Sequence, residues 1–160
     1  MGPLACWRLA AASSLLLSCG GKTLDCGQLP CPDHLLITGD LSYKGSEAVN
    51  LDLQFCRNTT CSVGNVQAPP LGRAEVSLQG PLPAVAVLAS RTATAPWQLS
   101  IELNDNLGVD GDVVSLRLTT VPGGTVIYDK TSNELRYQTV QPNGPECKPT
   151  CRTANAVFPE

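Results

Sequence analysis

Large side chains and titratable groups are scarce in this sequence. Two Trp, three Tyr and two Phe make up only 4% of the 160 residues, beside one His and one Met. A single histidine, His34, cannot supply a two-histidine metal set. With the initiator as the sole Met, a cupredoxin-type copper site is excluded. Asp33 lies beside His34, but the spacing brings no nucleophile and orienting group to it, so no catalytic set is expected. Charged residues are 16% of the chain, and 11 Lys and Arg stand against 14 Asp and Glu, a net charge of −3. That is too neutral for a phosphate backbone, and nucleic acid is not an expected partner. Long apolar runs are missing too. Leu9 to Leu17 and Pro83 to Ala89 both fall far short of the roughly 20 residues that cross a bilayer. Tyr43, Trp97, Tyr128 and Tyr137 are thin material for a sugar-stacking platform.

What is abundant is Gly, Pro and above all Cys, with 14, 13 and 8 copies. Arg8 followed by the apolar stretch Leu9–Leu17 reads as a secretory signal over residues 1–18. It ends in Leu16-Leu17-Ser18-Cys19-Gly20-Gly21, which resembles the bacterial lipoprotein box. The resemblance implies diacylglycerol on the Cys19 sulfur, cleavage before Cys19 and N-acylation of the new terminus by a palmitate-like chain. Two or three acyl chains anchor stably where one does not, so the implied partner is a membrane. Gly20 after the Cys is what outer-membrane sorting favours. The alternative is an ordinary cleaved signal and a secreted product. The expected organisation is a signal over 1–18, a lipidated tether over 19–33 and one domain over 34–160.

Cys6 leaves with the signal and Cys19 is taken by lipid. Six cysteines remain in three clusters: Cys26 and Cys31, Cys56 and Cys61, Cys147 and Cys151. An even set in an exported domain reads as disulfides, and the clustering suggests three local bridges. The middle pair is the best argued. Leu51-Asp-Leu-Gln-Phe-Cys56 alternates, Arg57-Asn-Thr-Thr60 supplies a polar four-residue turn, and Cys61-Ser-Val-Gly returns, placing the two thiols at the neck of a hairpin. Such a short loop contributes only about 2 kcal/mol in the chain-entropy description. Zinc on these pairs and a redox-active CxxxC are the competing readings. Zinc favours tighter spacing, and Pro149 sits inside the CxxxC with no helix N-terminus to lower a thiol pKa. Asn58-Thr59-Thr60 matches a glycosylation sequon, but after a lipoprotein box it reads as a turn.

The rest of the chain is a succession of short alternating or β-branched segments: 35–43, 48–55, 74–78, 85–88, 98–103, 113–121, 125–129 and 135–140. Turn signals separate them, among them Gly64-Asn65, Ala68-Pro-Pro-Leu-Gly72, Gly80-Pro-Leu-Pro83 and Pro122-Gly-Gly124. Trp97, Leu99, Ile101 and Leu103 share one face of a strand, as do Val114, Leu116 and Leu118. One wet face and one apolar face per strand predict an all-β fold of two packed sheets, a single disulfide-stapled sandwich of seven to nine antiparallel strands.

Tyr137-Gln-Thr-Val-Gln-Pro-Asn-Gly-Pro-Glu-Cys147-Lys-Pro-Thr-Cys151 resembles the ending of many bacterial secreted proteins and lipoproteins. In them a Tyr-bearing strand leads into Pro-Asn-Gly, a tight CxxxC and a last strand. The likeness runs from Gly111 to the end, and it implies an immunoglobulin-like or transthyretin-like β-sandwich without implying an activity. One acidic cluster remains, Asn104-Asp105-Asn106-Leu-Gly-Val-Asp110-Gly-Asp112. Asp105, Asn106, Asp110 and Asp112 are hard oxygen donors of the kind calcium accepts, although the EF-hand pattern fails because Arg117 stands where its Glu is needed. Asn, Asp and Gly are equally what a turn requires. The expectation is a non-enzymatic envelope lipoprotein that binds another envelope protein and needs no cofactor. The alternative is a ligand or calcium module using the 104–112 loop.

Overall fold

The computed structural model describes residues 33–41, 47–90, 96–105, 107–144, 146–147 and 150–158. Cys19, Cys26, Cys31, Tyr43 and Asn106 lie outside the described residues. Most of the alternating segments become strands, and no helix forms among the described residues. The strands are β1 (His34–Leu41), β2 (Val49–Arg57), β3 (Thr60–Ala68), β4 (Gly72–Ser77) and β5 (Ala84–Ser90). They continue as β6 (Trp97–Leu103), β7 (Val114–Val121), β8 (Val126–Thr131), β9 (Gln138–Val140) and β10 (Cys151–Phe158). Six form one sheet in the order β4-β5-β6-β1-β10-β9, and four form the other in the order β3-β2-β7-β8. Their inner faces make one core, with Ile37, Leu51, Phe55, Trp97, Ile101 and Leu118 buried in it. The apolar faces expected of β6 and β7 are the ones that point inward.

The all-β sandwich is as the alternation predicts, but the count is ten strands, above the seven to nine expected. The strands beyond the eight alternating segments are β3 and β10, and Gly64-Asn65 of β3 reads as a turn in sequence yet pairs with Leu53 and Asp52. The sheets are also not wholly antiparallel, since β1 and β10 run parallel from His34–Thr153 to Gly39–Phe158. The expected strand over 135–140 shortens to three residues. Leu135 N donates to Asp112 O at 2.7 Å, and Tyr137 N donates to Asp110 Oδ1 at 2.9 Å, so both amides leave the ladder.

Cys56 and Cys61 face each other in register and are bonded, with Cα atoms 4.0 Å apart. The turn between them is tighter than four residues. Arg57 pairs with Thr60, leaving Asn58 and Thr59 at the tip. Asn58 adopts φ 54°, the left-handed region that Asn tolerates better than most side chains. Cys147 and Cys151 are both buried and both disulfide-bonded. They flank the link from β9 to β10, and those strands are sheet neighbours as the C-terminal motif predicts. Pro122-Gly-Gly124 closes the β7–β8 hairpin with both glycines at positive φ.

The two long sides of the sandwich differ. On one, Val63 and Gln79 exchange backbone hydrogen bonds at 2.9 and 2.7 Å, linking β3 to the β4–β5 connection. On the other, β8 and β10 meet through the edge-on rings of Tyr128 and Phe158, with centroids 6.2 Å apart.

Candidate functional site

The acidic loop lies at the end of the sandwich where β2 finishes and β7 begins. Arg57, the last residue of β2, turns its guanidinium onto the carboxylate of Asp105 in two prongs. Nη2 is 2.6 Å from Oδ2, and Nη1 donates to Oδ1 at 3.0 Å. Burial by itself lowers the pKa of Arg57, but the hydrogen bond and charge of Asp105, with Tyr137 and Asp112 behind them, outweigh it and raise the pKa overall. Asp112, 2% exposed, accepts from Asn58 Nδ2 at 2.8 Å through Oδ1. Its Oδ2 accepts from Val109 N at 3.0 Å and from the Tyr137 hydroxyl at 3.4 Å. Asn58 Oδ1 in turn accepts from Val113 N, so this side chain clips the β2–β3 turn to the start of β7.

A second arginine serves Asp110. Arg152 Nη2 donates to Asp110 Oδ1 at 3.2 Å, and Nη1 donates to Gly108 O at 2.6 Å. Its guanidinium lies 5.1 Å from the centre of the Tyr137 ring, in the cation–π range. Burial pushes the Tyr137 phenol up to about 12. The charge of Asp112 adds to that rise and Arg57 opposes it. A Cβ at Gly108 would sit 2.3 Å from the Tyr137 ring, so glycine is what lets the loop approach the tyrosine this closely.

In this geometry the loop's described carboxylates serve other partners than one another. Asp105 and Asp110 are each turned onto an arginine, and Asp112 onto Asn58, the Val109 amide and the Tyr137 hydroxyl. Among the described residues no group of three or more His, Cys, Asp and Glu is placed to hold a metal ion. Chemically the cluster is a clamp, in which guanidinium, amide and hydroxyl groups contact the carboxylates. His34 is on the outer face of β1, 3.2 Å from Glu102. Trp97 and Tyr128 are buried in the core, so neither is available for stacking a sugar.

The outer face of the six-stranded sheet holds a feature that composition did not suggest. Pairing lines up Arg73, Ala89, Gln98 and Asp40 in one row across β4, β5, β6 and β1. The next row is Glu75, Val87, Ser100, Thr38 and Val157. Small and medium side chains in the middle and longer ones at the rims leave a concavity of about 630 Å³. That lies within the roughly 300–1,000 Å³ of common binding pockets. Val87 and Ala89 floor it, Ser100, Thr38 and Gln98 offer neutral hydrogen bonds, and Arg73 and Asp40 put opposite charges at its two sides. One sequence signal pointed here. Ala84-Val-Ala-Val-Leu-Ala-Ser90 is apolar on both faces, as suits a strand covered on both sides. Comparison with known protein families, with curated proteins and with solved structures finds no match for this chain.

Proposed function

We propose that this protein is an exported, lipid-anchored and non-enzymatic module that is tethered through Cys19 and binds another envelope protein. The oxidised Cys56–Cys61 pair, with Cys147 and Cys151 also in disulfides, supports folding outside the cytosol. No helix among the described residues is long and apolar enough to cross a membrane, and the acyl chains on Cys19 supply the attachment. The observation that carries the binding role is the 630 Å³ concavity, built on rigid paired strands rather than on loops. The alternative, a ligand at the 104–112 loop, is weakened because Arg57 and Arg152 already occupy its carboxylates.

Two measurements test this. Metabolic labelling with a fatty acid marks the wild type, and a Cys19→Ser variant loses the mark. A photo-crosslinking side chain at Ala89, in the concavity, captures a discrete envelope partner. The same group at Gln54, on the exposed face of the other sheet, captures none. An unlabelled wild type removes the anchor, and equal capture from both positions removes the groove.

A further inference from the structure

An edge strand exposes backbone donors and acceptors, and that is how an all-β protein most readily accepts a second chain. The second half of β10 has such an edge. One side of β10 pairs with β1 along its length from Thr153 to Phe158, whereas β9 covers the other side only at Cys151, Arg152 and Thr153. Upstream of β9 the chain is drawn off by the acidic loop through the Tyr137 and Leu135 amides, and Gly111 N donates to Leu135 O at 3.0 Å. The clamp at the end of the sandwich thus uncovers the edge of β10.

The direction of the free groups follows from one contact. Arg152 N donates to Asp33 Oδ1, on the β1 side, at 2.7 Å. Strand amides alternate sides, so those of Ala154 and Ala156 face β1, and those of Asn155 and Val157 face the open side. No described strand lies there. Beside them runs a groove of about 310 Å³ whose far bank is Ser132 to Arg136. The two amides are two residues apart, so a segment that pairs with both spans at least three residues along Asn155 to Val157. A second copy offering its own β10 would bring its β1 and its own far bank along, which this space does not admit. Val157 is 75% exposed beside the groove, and Glu134 and Arg136 set an acid and a base two residues apart on the bank.

We propose that the open edge of β10 binds an extended segment of another protein, antiparallel and in line with β9, through backbone pairing to Asn155 and Val157. The segment places an apolar side chain over Val157 and a base and an acid, two residues apart, against Glu134 and Arg136. This rests on the interaction-module reading and names the kind of partner.

The test uses the full chain in detergent and a synthetic strand peptide. The peptide alternates apolar and polar residues, with a lysine and a glutamate two positions apart, and a control carries N-methyl groups on alternate amides. In the free protein the Asn155 and Val157 amides exchange fast while those of Ala154 and Ala156 are protected. The peptide protects Asn155 and Val157, and the N-methylated control does not. Val157→Pro removes one edge donor without touching the β1 ladder, so it weakens peptide binding by about tenfold, the loss of one neutral hydrogen bond. Four results overturn the proposal. They are protection of Asn155 and Val157 in the peptide-free monomer, protection that appears only with a concentration-dependent dimer, undiminished binding by Val157→Pro, or no protection at the peptide's solubility limit. Fatty-acid labelling and Ala89 crosslinking do not depend on this edge, so its failure is separable from failure of the module itself.

Discussion

Arg57 and Asp105 are 48 residues apart in the chain and meet as a two-pronged ion pair, with side chains 8% and 7% exposed. Arg57 ends β2 in one sheet and Asp105 follows β6 in the other, so the pair ties the two sheets together. Removing one partner of a buried pair strands the other charge. Arg57→Ala is therefore expected to lower the unfolding free energy by about 3–5 kcal/mol. The double replacement Arg57→Met with Asp105→Leu loses less than the sum of the single changes. Urea unfolding of the four proteins of that cycle checks this, and strictly additive losses would show the pair to be uncoupled.

Tyr137 makes stability depend on pH at the alkaline end. Its folded pKa is pushed up to about 12 by burial and by Asp112, above the ordinary tyrosine value of 10.0. Below the unfolded pKa both states hold the proton and the full stability is present. From there up to about 12 only the unfolded chain releases it, so stability falls as pH rises through that window. Tyr128, raised by burial and by the charge of Asp40, acts in the same direction. Unfolding measured from neutral to strongly alkaline pH should show the decline, and Tyr137→Phe should flatten part of it. An unchanged slope in that variant would assign the effect elsewhere.

Gly108 packs against the Cε1–Cζ side of the Tyr137 ring. Gly108→Ala is expected to cost about 1–3 kcal/mol, because the added methyl group meets ring carbons and not a flexible tip. Tyr137→Leu, which removes the ring, should make the Gly108→Ala change cheaper. Thermal unfolding of both backgrounds measures the difference, and equal costs would mean that the loop yields instead.

Calcium should leave the melting temperature unchanged. A cation among Asp105, Asp110 and Asp112 would have to displace Arg57 and Arg152, whose nitrogens lie 2.6 and 3.2 Å from the carboxylates. Calorimetry in calcium and in chelator decides it, and a higher melting temperature in calcium would reverse the reading of the loop.

Patterns among near neighbours were legible in the sequence. Alternation over Trp97–Leu103 and Val114–Leu118 specified which side chains point inward, and both strands bury those faces. The Cys56–Cys61 hairpin was readable because its two arms and its turn lie within a dozen residues. Gly64 and Asn65 misled, since their turn propensity was overridden by pairing with β2. The same limit governs the acidic loop. Its oxygen donors stand in plain sight between residues 104 and 112, but the groups that claim them come from 48 and 42 residues away.

The sequence by itself determined the strand-rich class, the inward faces and the middle disulfide, because a period-two pattern acts through residues close along the chain. Only the tertiary structure decided that β1 runs parallel to β10, that Arg73 and Asp40 face each other across the outer concavity, and that β9 pairs with β10 only from Cys151 to Thr153. Those outcomes depend on which distant strands pair and in what register. That choice is settled by closing the whole core at once, and no local stretch of residues encodes it.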